Sequence, residues 1–284
     1  MYKIANVILE IKGLDEKDYS SRLELFRTEE IIPDVIFEVN YVECLDKVND
    51  DLCVYSDLQF AVILRNNRKF YYYRINKKTY AIVEEIENNH YEIKLDSNFF
   101  RETIHPYFFP SLLLLERLLL PKNAFVLHSS YISVNNNGVL FTAPSGGGKS
   151  TQAELWKRVR NAKIINGDKS IVGKETGKWY AYGIPFSGSS DYCENEKHPL
   201  RAIIILKKAP ENRLVRVGLE GFSQIFSQVT VNPWDPDFCN ELMDLVIDAC
   251  SQIPVFIYFC TKEENSVNVL FAELLNEELL HGIK

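Results

Sequence analysis

Nine consecutive residues, Ala143-Pro144-Ser145-Gly146-Gly147-Gly148-Lys149-Ser150-Thr151, carry the side chains and the freedom of backbone that hold phosphate. Glycines let the chain close around phosphate oxygens, and the N–H groups of a following helix start point at them. A lysine at the sixth place after Ala143 would reach the β- and γ-phosphates, and the next hydroxyl, Ser150, would ligate Mg²⁺. Ser145, Gly146, Gly147, Gly148, Lys149, Ser150 and Thr151 are therefore the expected phosphate cradle. Ala143 stands where the pattern has its first glycine, while the second glycine, the lysine and the serine are in place. The competing reading is a flexible turn with an incidental lysine.

Two more residues carry chemistry. Asp168 follows the short apolar run Ala162–Asn166, at the end of a strand where open α/β sheets place their sites. It would ligate Mg²⁺, directly or through water, or take a proton from an acceptor hydroxyl. A turn or helix-cap aspartate is the alternative. His128 comes from the upstream hairpin, whose Asn135-Asn136-Asn137-Gly138 turn tolerates positive φ. If Asn135 pairs with Gly138, position 128 falls beside Ser145, and a slip of one residue would turn the imidazole to the other face. For His128, structural and functional roles are equally open.

These residues need a scaffold, and the spacing predicts one. The apolar run Gly138–Phe141 reads as the strand before the loop and Thr151–Arg160 as the helix after it. Ser170–Val172 with Lys178–Tyr182 reads as a hairpin, and Gly183–Pro199 as a long loop whose Ser187, Ser189 and Ser190 either meet an acceptor or a phosphate or are weakly held surface serines. Arg201–Leu206 is a strand buried on both faces, with Arg213–Val217 expected as its antiparallel neighbour. Helices are expected at Gly221–Gln228, Pro236–Gln252 and Ser266–Leu280, with a strand at Pro254–Cys260.

Upstream the pattern changes. Lys3–Ile11, Val35–Val42, Gln59–Arg65, Lys69–Ile75, Tyr80–Ile86 and Tyr91–Leu95 are short runs rich in Val, Ile, Tyr and Phe, several of them separated by polar turns. They predict an antiparallel meander or small sandwich, a recognition or scaffolding domain over 1–100, followed by a nucleotide-binding domain over 101–284. The acidic stretch Leu45–Leu52 reads as a solvated loop, and a helix is expected around Phe108–Leu120 with Pro110 in its first turn.

Composition sets outer limits. Of 284 residues 46% are apolar and 25% charged, the balance of a folded soluble protein. A net charge of −7 opposes a nucleic-acid partner. Six scattered cysteines without a C-x-x-C pair fit reduced thiols in the cytoplasm rather than zinc or redox work. The opening MYKIANVILEIKG is too polar for a signal peptide, and Tyr107–Leu120 is too short and too charged to span a bilayer.

Taken together, Ser145-Gly146-x-Gly148-Lys149-Ser150, His128 upstream and Asp168 downstream resemble the HPr kinase/phosphorylase family and its relatives, the ATP-dependent phosphoenolpyruvate carboxykinases. The resemblance spans roughly 124–260 and includes Tyr182-Gly183-Ile184-Pro185; it is nearest to uncharacterised bacterial HPr-kinase-like proteins. Over its span it implies a P-loop domain with a mixed sheet and flanking helices; with the N-terminal β-rich domain read from the strand pattern in front of it, the expected fold is α+β or α/β. It further implies ATP and Mg²⁺ as cofactors, Lys149 on the phosphates, Ser150 and Asp168 on the metal, Asp168 as catalytic carboxylate and His128 as its neighbour. Where the family has an acidic pair, this chain has Gly167-Asp168, and the family's segment for its carrier protein is not recognisable. The implied activity is a Mg-ATP-dependent phosphotransferase acting on a hydroxyl of a peptide, protein or small metabolite. The alternative is a catalytically inactive nucleotide-binding regulator or assembly protein, and fold analogy adds a possible homo-oligomer.

Overall fold

The computed structural model describes residues 1–15, 18, 20–45, 53–76, 78–98, 106–186, 188 and 190–280. The chain is mixed α+β, with two units divided between Leu115 and Glu116, later than the composition change near residue 100. Each unit is built on one mixed sheet.

In the first unit the strands are β1 (Tyr2–Ile4), β2 (Val7–Lys12), β3 (Val35–Val42), β4 (Cys53–Ser56), β5 (Phe60–Arg65), β6 (Arg68–Ile75), β7 (Lys78–Glu87) and β8 (His90–Asp96). Their order is β1-β2-β3-β8-β7-β6-β5-β4. The run β4 to β8 is the expected antiparallel meander. A wholly antiparallel unit is not what forms, because β3 lies parallel to both β2 and β8. Both connections are long: residues 13–34, with the short helix Ser21–Glu24, join β2 to β3, and the entire meander intervenes before β8. Parallel pairing requires such lengths. The single strand expected at Lys3–Ile11 instead folds into the β1–β2 hairpin at Ala5, whose φ is 49°. Of the acidic stretch Leu45–Leu52, all but Leu45 lies outside the described residues.

The helix expected around Phe108–Leu120 is also corrected. Pro106–Leu113 is a 3₁₀ helix containing Pro110, Leu114 takes a left-handed φ of 47°, and only Leu115–Leu119 is α-helical. Proline supplies no N–H for the longer hydrogen bond and its ring crowds the preceding turn, so the tighter winding wins.

In the second unit the strands are β9 (Ala124–Val134), β10 (Asn137–Thr142), β11 (Lys163–Asn166), β12 (Lys169–Glu175), β13 (Lys178–Tyr182), β14 (Lys197–Lys208), β15 (Arg213–Arg216) and β16 (Val255–Cys260). β9 is one strand where two were expected, at 124–128 and 131–134. Its first half pairs with β12 and its second half with β10 and β11. β14 likewise starts beside β13 and then runs parallel to β10 and β16. With both its sides taken, β14 leaves no edge for β15, which pairs antiparallel with β16 instead of with β14 as expected.

The sheet is covered on both faces, which is why its central strands read as unbroken apolar runs. Val139, Phe141 and Ile204 pack with Trp156 of the helix Lys149–Arg160 and with Leu270 and Phe271 of the helix Glu264–Asn276. Leu140, Ile203 and Ile205 point the other way, toward Leu242 and Val246 of the helix Pro236–Gln252. That last helix starts where the sequence places it. Asp235 caps it by accepting from the Phe238 N–H at 3.2 Å, and Pro236 occupies the first turn, where no N–H is needed. The segment Gly221–Gln228 forms only a short helix, Phe222–Phe226, after a 3₁₀ turn at Gly218–Gly221. No helix among the described residues is long and apolar enough to cross a membrane.

Candidate active site

β10 ends at Thr142 and the next helix begins at Lys149, so the glycine-rich segment is the connection between a buried strand and a helix start. Gly146 and Gly148 have φ of 73° and 104°, a region that glycine enters without the Cβ penalty. A Cβ on Gly147 would overlap that of Ala143 and lie 2.8 Å from the Pro144 carbonyl oxygen. The methyl of Ala143, in place of the pattern's first glycine, is thus accommodated because Gly147 has none. The Gly147 N–H donates to the Pro144 carbonyl at 2.9 Å and closes the turn.

The helix that follows has no side-chain cap at Gly148 and no acidic residue in its first turn. Its leading N–H groups, at the positive end of the helix dipole, therefore face outward with no anion of their own helix to neutralise them. Ser145, Ser150 and Thr151 are exposed around them. Lys149 is buried and its Nζ donates to the Ala143 carbonyl at 3.0 Å. Burial pushes the Lys149 ammonium below its usual pKa, and the charge of Asp168 pulls it back up.

Gly167-Asp168 is the turn between β11 and β12, and β9 grips it. The Ser130 hydroxyl donates to the Gly167 carbonyl at 2.8 Å, and the Ser129 N–H donates to the Asp168 carbonyl at 3.0 Å. Register then sets His128 across from Lys169, with its Nε2 3.1 Å from Asp168 Oδ1. The hydrogen bond from His128 holds the Asp168 carboxyl below the ordinary aspartate pKa; burial opposes this, while the His128, Lys169 and Lys149 charges add to it. An ionised carboxylate only accepts, so the proton between them sits on His128 Nε2.

The hairpin register differs from expectation. Asn135 and Asn136 take φ of 49° and 61° and form the tight turn, so that Val134 rather than Asn135 is the first paired residue, opposite Asn137. The shift is two residues, which keeps His128 on the expected face but moves it from beside Ser145 to beside position 143. The carboxylate of Asp168 is what its imidazole meets.

The loop between β13 and β14, residues 183–196, packs onto the same turn. The Asn166 amide clasps Ile184, donating to its carbonyl at 3.0 Å and accepting from its N–H at 2.9 Å. Gly188 lies against Asp168, and the Ser190 hydroxyl fills the space that a side chain on Gly167 would need. Ser187 and Ser189 lie outside the described residues. Two cavities flank the glycine loop. One, of about 530 Å³, is lined by Ser150, Glu154, Gly167, Ser190, Asp191 and Tyr192 among others. The other, of about 410 Å³, runs from Thr142–Gly147 to Lys207, Lys208 and Gln228. The sequence reading missed Asn166, Gly188 and the lysine pair; only the lysines, adjacent at the end of a buried strand, left a signal.

No protein-family model matches this sequence, and no curated protein matches it. A solved structure does: the chain is similar to the Hpr(Ser) kinase/phosphatase from Coxiella burnetii. The identity is 13%, the match covers 54% of this chain and 94% of that one, and the TM-score is 0.32. The likeness is distant. The chemistry must come from the residues themselves.

Those residues suit Mg²⁺ bound together with phosphate. Among the described residues no three His, Cys, Asp or Glu side chains group as an all-protein metal cage. Mg²⁺ in phosphate sites takes one or two carboxylates and fills its octahedron with phosphate oxygens and water. The donor set of one hydroxyl, Ser150, and one ionised carboxylate, Asp168, fits that mode.

Proposed function

We propose that this chain transfers the γ-phosphoryl group of ATP to a hydroxyl, that of a serine in a peptide or protein or of a small serine-like metabolite, in the cytoplasm. The observation that carries the reading is the position of Asp168, ionised, hydrogen-bonded to His128 and electrostatically coupled to Lys149 of the glycine loop. Phosphoryl transfer needs mainly positioning and charge neutralisation. The N–H groups of the helix start would hold the phosphates, and Lys149 would leave the Ala143 carbonyl for the β- and γ-oxygens. Mg²⁺, held through Ser150 and Asp168, would neutralise charge on the transferred group. Asp168 would accept the proton of the attacking hydroxyl, and the hydrogen bond from His128 would keep its other oxygen aimed away from that task. The cavity shared by Ser150 and Gly167 is where the acceptor would enter.

A second reading, a nucleotide-binding regulator without transfer, is favoured by one feature: Ser190 leaves no room for a second carboxylate at position 167. Transfer of γ-labelled phosphate from Mg-ATP into a fractionated extract separates the two. Label entering one fraction with the native protein and not with Asp168→Asn supports the kinase. Equal labelling by both proteins refutes the assigned role of Asp168, and ATP binding without any label favours the regulator.

A further inference from the structure

Asp168 is enclosed by more than its own turn. One carboxylate oxygen meets His128, and the other faces the backbone at Gly188, where an added Cβ would stand 2.7 Å from Oδ2 and 3.0 Å from Cγ. Two residues on, the Ser190 Cβ and hydroxyl occupy the position of any side chain on Gly167. The hydroxyl is itself tied down, accepting from the Tyr192 N–H at 3.2 Å. Around this contact the loop is anchored at both ends: the Asn166 amide clasps Ile184, and the Glu194 N–H donates to the Ile165 carbonyl at 3.0 Å. The Cys193 sulfhydryl donates to the Ile184 carbonyl at 3.4 Å, tying one anchor to the other.

We propose that Gly188 and Ser190 are positioning residues, through which the β13–β14 loop locks onto Gly167-Asp168 and fixes the Asp168 carboxylate between His128 and the glycine loop. The absence of a side chain at 167 is then a requirement of the lock, since the serine from the loop and a side chain from the turn compete for one space. Neither residue needs to touch a substrate for this. Their effect is exerted on the orientation of Asp168, so they should govern turnover and leave the affinity for metal-free ATP alone. The inference rests on the catalytic role proposed above for Asp168, but its geometric part is readable without it.

The test exchanges the occupant of the shared space. Gly167→Ala puts a methyl against the Ser190 hydroxyl, and adding Ser190→Gly removes the obstruction. Three quantities are read for each protein: the rate of phosphate transfer from labelled Mg-ATP into extract, the affinity for ATP in the absence of Mg²⁺, and the ¹⁵N signals of the His128 ring, assigned by loss in His128→Asn. Gly167→Ala is expected to lower the rate at least tenfold, change metal-free ATP affinity less than about threefold and shift the His128 signals; the double variant should return the His128 signals to their native positions. Gly188→Ala should repeat the loss, whereas Gly218→Ala, at a φ of 49° with open space around it, should not. Native behaviour of Gly167→Ala overturns the proposal, as does a shift of the His128 signals that Ser190→Gly fails to reverse in a folded protein. If Asp168→Asn keeps full transfer, the catalytic role of Asp168 fails while transfer itself stands, and the His128 signals alone then decide whether the loop holds the carboxylate.

Discussion

Replacing Lys149 with methionine removes one charge from the glycine loop while keeping most of the volume that the side chain fills. In the free protein the substitution has two opposed effects. It deletes the Nζ hydrogen bond to the Ala143 carbonyl, and it relieves the burial that disfavours the ammonium. A lost hydrogen bond costs on the order of 1 kcal/mol net, so the variant should fold with nearly native stability. In the complex the balance is one-sided. A charged donor to phosphate oxygen contributes about 1.5–3 kcal/mol, which corresponds to a roughly 10- to 150-fold weaker Kd for Mg-ATP. Titration calorimetry with Mg-ATP, paired with a thermal melt, reads both quantities on one preparation. A folded Lys149→Met protein with unchanged ATP affinity would refute the phosphate role of the loop.

Three further outcomes follow from the geometry. Gly147→Ala should impair folding or ATP binding because its methyl overlaps that of Ala143, at a cost of about 1–3 kcal/mol, and Ala143→Gly should recover part of the loss, the contact with the Pro144 carbonyl oxygen at 2.8 Å remaining. No recovery in the double variant would contradict the exchange. Trp156→Ala should destabilise the second unit by about 3–5 kcal/mol, since the indole is fully buried between Phe141 and Phe271. Urea unfolding followed by the fluorescence of Trp179 and Trp234 reports on it, and a loss under about 1 kcal/mol would dispute that packing. Because the hydrogen bond from His128 holds the folded Asp168 carboxyl below the ordinary aspartate pKa, its contribution is present above that ordinary value and fades as pH falls through the lower folded value. Native protein and Asp168→Asn should therefore differ in melting temperature at neutral pH and converge in acid; a constant difference would show that the ionised carboxylate contributes nothing.

The glycine loop was legible because its chemistry is local. Glycines, a lysine and a serine at fixed offsets, between an apolar run and a helical one, state their geometry within nine residues. The helix Pro236–Gln252 was legible for the same reason, through the period of its apolar residues. Pairing was not. That β3 would accept two parallel neighbours, or that β15 would choose β16 over β14, depends on which edges remain after every other strand is placed. The hairpin turn was readable as a turn, yet its register moved by two residues, because three asparagines and a glycine offer two nearly equivalent tight turns and the pairing of the long strand β9 selects one. The meeting of His128 with Asp168, forty residues apart in sequence, followed from β9 and β12 lying side by side. Gly167 shows the limit most plainly. In the sequence it is a missing side chain; in the fold its space belongs to Ser190, brought there by a loop whose position is set by contacts with Asn166 and Ile165 that no local pattern announces.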